Sequence, residues 1–298
     1  MTSELRLGIH LVNFAADGAA GWERLLANAE AADRAGIDKL VVSDHVVFGE
    51  QLDDYARPEL GGLRDGRQPT GPDGHWLEPL TLLTFVAART TRVRLATHVL
   101  LAALRRPVVL AKTAATLDVL SGGRLDLGVG VGWQRAEYDA AGLDFDRRGA
   151  LLDECLDTCR ALWVEQRASL RIGGTVVHGI HQMPKPMQAG GVPLWFGGTV
   201  SPRLARRLAL HGAGWIPWGD DAGRIAESIP AMRRAVAGAG GEPAGLRVVG
   251  TVHGTLADAE PLVEAGVTDV IARIALADGA SPDDVYGAWA EEFTTRFG

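Results

Sequence analysis

Short runs of β-branched and apolar residues alternate along the chain with longer segments whose apolar positions recur every three or four residues. LRLGIHLVN (Leu5 to Asn13) predicts a strand, Trp22 to Gly36 a helix closed by its glycine, and Ile37 to His45 a second strand ending in polar residues. EPLTLLTFVAART predicts a helix, RVRLATHVLL a third strand, and PVVLAKTAATLDVL a helix with Pro107 suited to its first turn. SGG turns the chain into a fourth strand, RLDLGVGVGW, and Arg147 to Trp163 forms an amphipathic helix. VPLWFGG, GAGWIPWG, LRVVGTVHG and TDVIARIAL supply the remaining strands. Their helices are SPRLARRLALHG with Ser201 as N-cap, 222–237, ADAEPLVEAG, and SPDDVYGAWAEEF.

Eight strand patterns separated by helices predict an α/β protein, a single (β/α)8 TIM barrel spanning residues 1–298. Two segments break the alternation. Residues 49–74, rich in Gly, Pro and Asp, have no periodicity, and a loop of that length in a compact domain reads as a lid over a substrate site. Residues 168–185 read as a hairpin insertion turning at Gly173-Gly174. A doubly wound open sheet is the alternative architecture, but no GxGxxG follows the first strand.

Composition narrows the function. A formal charge of −7 without a basic stripe argues against nucleic acid as a partner. No apolar run approaches the roughly 20 residues that span a bilayer, and MTSELRLGIHL lacks the pattern of a signal peptide, so a cytoplasmic protein without membrane contact is expected. Cys155 and Cys159, four apart in a helical pattern, read as core residues rather than a redox pair. His178 and His181 lie in the hairpin with no third ligand, so no metal site is expected.

In barrels of this kind the site is built from the C-terminal strand ends and the loops after them. The polar and glycine endings are Asn13, Ser43-Asp44-His45, Thr97-His98, Gly130-Gly132-Trp133, Gly197-Gly198-Thr199, Trp215-Trp218 and His253. An imidazole beside a carboxylate suits acid–base work, which singles out Asp44-His45. Neighbouring strand residues point to opposite faces, however, and Asp44 as a cap accepting backbone N–H groups stays open. Gly128, Gly130 and Gly132 fall on one face of the fourth strand. That row either clears space for a flat ring or is filled by large neighbours. Gly197-Gly198-Thr199 runs into a helix N-terminus, where free N–H groups and the dipole suit a phosphate. Trp133, Trp195, Trp215 and Trp218 are candidates for an aromatic pocket or for the core.

Several of these stretches resemble the luciferase-like flavin and deazaflavin oxidoreductases, especially the branch using coenzyme F420. They are AEAADRAGIDKLVVSDH, EPLTLLTFVAARTTRVRLATHVLL, RPVVLAKTAATLDVLSGGRLDLGVGVGWQRAEYDAAG, RRGALLDECLDTCRALW, and VPLWFGG with GAGWIP. The resemblance implies a cofactor lying across the strand ends. It makes His45 and Glu137 the expected catalytic residues, His45 as acid or base near the reactive carbon. Asp44, Thr97, His98, Val99, Gly130, Gly132, Trp133, Gly197, Gly198 and Thr199 become the expected cofactor contacts. Thr97-His98 matches a third-strand bulge, with a non-prolyl cis peptide expected at His98–Val99. The first-strand segment Leu11-Val12-Asn13-Phe14 lacks the acidic residue of the deazaflavin-dependent sugar-phosphate dehydrogenases, so that substrate is not expected.

The function expected is hydride transfer between coenzyme F420 and an organic small molecule. The alternatives are an FMN-dependent monooxygenase, drawing reduced flavin from a separate reductase, and a non-catalytic flavin-binding protein. The resemblance also implies a homodimer.

Overall fold

A computed structural model of the chain describes residues 4–17, 22–277 and 279–298. Eight parallel strands close into a barrel: β1 Arg6–His10, β2 Lys39–Val42, β3 Arg94–Thr97, β4 Leu125–Val129, β5 Leu194–Gly198, β6 Gly212–Pro217, β7 Arg247–Val252 and β8 Asp269–Ala272. Around the barrel the order is β1-β8-β7-β6-β5-β4-β3-β2, so each strand neighbours its sequence successor and β8 returns to β1. The main helices are α1 Trp22–Ala35, α2 Pro79–Ala87, α3 Pro107–Leu120, α4 Arg148–Val164, α5 Pro202–His211, α6 Ile225–Gly238, α7 Glu260–Glu264 and α8 Pro282–Phe297. The barrel expected from periodicity is the barrel observed.

Local chemistry explains the boundaries. Pro107 opens α3, where its missing N–H would have no intrahelical partner, and the Ser201 hydroxyl accepts from Leu204 N–H at 3.3 Å to cap α5. Cys155 and Cys159 are buried and unbridged on α4. The predicted hairpin is Ala168–Ile172 paired antiparallel with Thr175–Ile180. A second antiparallel pair, Phe14–Ala15 with His75–Trp76, pins the end of the 49–74 loop to the exit of β1.

The core has two shells. Most buried apolar side chains lie between strands and helices. Inside the barrel, Val41, Ala96, Trp195, Ile216, Val249 and Ile271 form a separate apolar layer. Beneath it the strand starts carry charge: Lys39 Nζ lies 3.1 Å from Asp126 and 3.3 Å from Asp269, with its ammonium 3.8 Å from the Trp195 ring centroid. Arg94 and Arg247 complete the two carboxylates. This network fills the interior of the barrel at its N-terminal end, and the opposite end is where barrels of this kind build their sites.

Candidate active site at the barrel mouth

Side chains alternate along a strand, so residues two beyond the inner layer floor the mouth. Ser43 follows Val41, His98 follows Ala96, Gly197 follows Trp195, and Arg273 follows Ile271. His10 pairs in register with Val41 and joins them from β1. Its Nε2 lies 3.0 Å from Ser43 Oγ, whereas Nδ1 is buried without a partner. Burial, reinforced by Arg273 and His253, pushes His10 down to about 3, so it is neutral at pH 7. Burial, with Lys39 and His10, also lowers His98 well below the usual histidine range.

His45 stands just beyond β2 and meets a residue far away in sequence. Its Nδ1 is 3.0 Å from Glu137 Oε2, while Glu137 Oε1 accepts the Val46 N–H at 2.8 Å. The Glu137 side chain is fully buried and that of His45 keeps 12% of its surface. Trp133 Nε1 reaches His45 Nε2 at 3.4 Å, which together with the carboxylate assigns the imidazole proton to Nδ1. Trp76 meets the imidazole edge-on at 4.9 Å and Phe48 lies 4.6 Å from it, while Phe14 stacks on Trp76 at 4.2 Å. His45 is therefore an oriented imidazole in an aromatic box, its Nδ1 held by the carboxylate and its Nε2 facing the Trp133 N–H.

Asp44 is split from His45. Its side chain has no exposed surface; it accepts from Leu101 N–H at 2.8 Å and pairs with Arg105 at 2.6 Å, and Arg105 also reaches Glu78. Burial raises the Asp44 carboxyl, and Arg105 and the Leu101 N–H act against that. Of the two readings open from sequence, the carboxylate that braces backbone is the one observed. Thr97 is likewise buried, with its hydroxyl donated to Gly128 O at 2.7 Å. Asp44 and Thr97, two of the expected cofactor contacts, thus have their side chains hydrogen-bonded within the protein. Asn13 is fully buried, its amide bridging the Ser43 and Leu77 carbonyls while its oxygen accepts the Ser43 N–H.

The glycine row packs against the bulge after β3, where the His98–Val99 peptide is cis. A Cβ on Gly130 would come within 2.5 Å of Val99 Cγ2, and one on Gly197 within 2.8 Å of Val99 Cγ1. A Cβ on Gly128 would meet the Thr97 carbonyl oxygen at 1.9 Å. Here Val99 and the β3 backbone stand close against Gly128, Gly130 and Gly197, so these glycines let the bulge approach. Gly132 adopts φ 72°, a left-handed conformation that favours glycine.

At the turn after β5, Gly198 has φ 144° and its carbonyl accepts from Trp215 Nε1 at 2.9 Å. One turn amide is already used: Val200 N–H donates to Asp221, whose other oxygen meets Ser228 Oγ. The tryptophans divide. Trp133 lines the His45 box, Trp195 lies inside the barrel, Trp215 is fully buried, and Trp218 donates to Gly61 O at 3.0 Å. That bond, the Tyr55–Trp133 ring contact at 5.3 Å and the Arg64–Asp220 ion pair at 3.1 Å seat residues 49–74 against the loops that follow β4 and β6.

Sequence reasoning missed Trp76, His10 and Arg273. Arg273 was legible as a charge interrupting the apolar run of β8, and His10 as an inward position on β1. Among the described residues no group of His, Cys, Asp and Glu could hold a metal ion, and no helix is long and apolar enough to cross a membrane.

Comparison with known proteins agrees with this architecture. An uncharacterized protein of Mycobacterium tuberculosis is 27% identical over 264 residues, covering 86% of each chain. The solved structure of the monooxygenase RslO1 from Streptomyces bottropensis superimposes with a TM-score of 0.72 at 21% identity, covering 98% of both chains. An F420-dependent secondary alcohol dehydrogenase, in complex with an F420-acetone adduct, gives 0.73 at 15% identity over 95% of this chain and 97% of its own. At those identities the two structures speak for the fold. The family model of the luciferase-like monooxygenases matches residues 6–296, nearly the whole barrel, and the chain belongs to that family.

Proposed function

We propose that the protein is a deazaflavin-dependent oxidoreductase that transfers hydride between coenzyme F420 and an organic small molecule at the barrel mouth. The observation that carries this reading is the His45–Glu137 pair at 3.0 Å inside an aromatic box. The likeness to the F420-dependent alcohol dehydrogenase supports it. When bound, the deazaflavin supplies the hydride acceptor or donor.

The residues present fit such a group at its ring end. Trp133, Phe48 and Trp76 offer apolar walls around His45, and the β3 bulge at His98-Val99 forms a floor beside Gly130. Gly197, Gly198 and Thr199 would hold its anionic tail through backbone N–H groups, with Asp221 as a competing acceptor next to them. For the substrate, His45 Nε2 takes the hydroxyl proton when an alcohol is oxidised and returns it when a carbonyl is reduced. Glu137 holds the imidazole tautomer and stabilises the imidazolium formed in the first direction. Residues 49–74 serve as a lid that excludes water.

The second reading is an FMN-dependent monooxygenase supplied by a separate reductase, favoured by the likeness to RslO1. Titrating the purified protein with F420 and with FMN, followed by chromophore absorbance, separates the two. Micromolar or tighter binding of F420, with substrate-dependent bleaching, is expected. Tight binding of FMN alone would overturn the proposal in favour of the second reading.

A further inference from the structure

The loop over the mouth and the proton-transfer pair meet through one side chain. Trp133, buried on the segment after β4, donates its indole N–H to His45 Nε2 at 3.4 Å, with the two rings edge-on at 5.8 Å. The same indole meets Tyr55 edge-on at 5.3 Å. Tyr55 sits on the single helical turn Leu52–Ala56 of the 49–74 loop. It also comes within electrostatic range of Arg273, just past β8, the strand opposite β4. The loop is seated beside the indole as well: a Cβ on Gly61 would come within 3.3 Å of Gly132 O.

With Glu137 on Nδ1, the neutral imidazole of His45 carries its lone pair on Nε2, and a sheltered acceptor needs a donor. Trp133 is that donor. An indole N–H only donates, so it occupies Nε2 without itself exchanging the proton. At 3.4 Å the bond is at the long limit, and a hydroxyl donor closing to about 2.8 Å makes a better one. An alcohol oxygen offers Nε2 the same kind of donor that the indole does. A phenyl ring would serve equally well as a wall, so the contact with Nε2 is what uses the indole N–H.

We propose that Trp133 is a positioning residue that caps His45 Nε2 until a substrate hydroxyl replaces it, and that Tyr55 of the 49–74 loop holds the indole in that place. This rests on His45 being the proton-transfer group of the reading above. The loop then does more than cover the mouth. Its seating and the availability of Nε2 are coupled through two rings 5.3 Å apart. When Tyr55 moves away the indole loses its support and Nε2 opens; when Tyr55 reseats the cap returns.

The test uses the full chain and needs no substrate. Diethyl pyrocarbonate acylates the free nitrogen of neutral histidines, and peptide mass spectrometry reads the rate at each site. Trp133→Phe keeps a ring and removes the N–H, and it should speed acylation of His45 roughly two- to tenfold, the worth of one hydrogen bond. Tyr55→Ala should speed it too, Tyr55→Phe should match wild type, and the double variant Trp133→Phe/Tyr55→Ala should react no faster than Trp133→Phe alone. Buried His10 should stay unreactive throughout and exposed His178 should keep its wild-type rate. In 1H–15N spectra the Trp133 indole proton of wild type should lie downfield of its position in His45→Ala, a reading that does not depend on how Trp133→Phe folds. Equal acylation of His45 in wild type and Trp133→Phe would overturn the proposal, as would a rise at His45 matched at His10, which marks general loosening. Additive rises in the double variant would overturn the coupling to the loop. If neither F420 nor FMN binds wild type, the functional reading fails, and the acylation rates still decide whether Trp133 caps His45.

Discussion

Glu137, on the segment after β4, holds His45, at the end of β2, by a 3.0 Å hydrogen bond across 92 positions of sequence. A buried carboxylate on Nδ1 leaves Nε2 as the ring nitrogen that would trade a proton with substrate, once substrate displaces the long 3.4 Å contact from Trp133. Replacing His45 with Ala removes that group, and turnover should fall roughly 10²–10⁴-fold while cofactor affinity measured by absorbance stays the same. Glu137→Gln keeps the shape and loses the charge, so it should cut kcat by a smaller factor and leave KM nearly unchanged. Full turnover in His45→Ala would sink the assignment.

Asp221 places a negative charge on the turn proposed to hold the cofactor's tail. Two like charges 4 Å apart repel by about 1 kcal/mol even in bulk water, or roughly fivefold in affinity. Asp221→Asn should therefore tighten cofactor binding severalfold, most clearly at low salt. Unchanged or weaker binding at every ionic strength would remove the phosphate from this turn.

The charged plug at the base of the barrel should make stability depend on pH in a defined direction. Burial alone would raise Asp126, but Lys39 and Arg94 outweigh it and hold the carboxyl below its ordinary value. A depressed folded-state carboxyl contributes stability above its unfolded value near pH ~4 and loses it as pH falls through the folded value. Urea midpoints measured from pH 7 downward should show a shallower acid limb in Asp126→Asn than in wild type. Lys39→Met, which strands two buried carboxylates, should cost about 3–5 kcal/mol at neutral pH. Parallel acid limbs would show that the network carries no linkage.

The glycine row predicts a compensating pair. Gly130→Ala puts a methyl 2.5 Å from Val99 Cγ2 in a site with no slack and should destabilise by about 1–3 kcal/mol in denaturant titrations. Val99→Ala removes the obstructing methyls, so the double variant should lose clearly less than the sum of the two single changes. Strict additivity would mean that Val99 is not what Gly130 makes room for.

Hydrophobic periodicity alone was enough for the barrel. Period two in LRLGIHLVN, the helical spacing of Trp22 to Gly36, Pro107 and Ser201 at helix starts, and Gly173-Gly174 in the hairpin all act within a few residues. Connections of β to α to β then leave few topologies to choose among. Strand-end polarity likewise pointed to a candidate site at one end of the barrel. Partnership was not legible, because it depends on closure and register between strands far apart in the chain. Only the closed sheet joins Glu137 to His45, turns Asp44 away toward Arg105, fills the Gly130 gap with Val99, and sets His10 beside Arg273. A side chain's face is a local property of its strand, whereas what that face meets is fixed by the tertiary packing of the other seven.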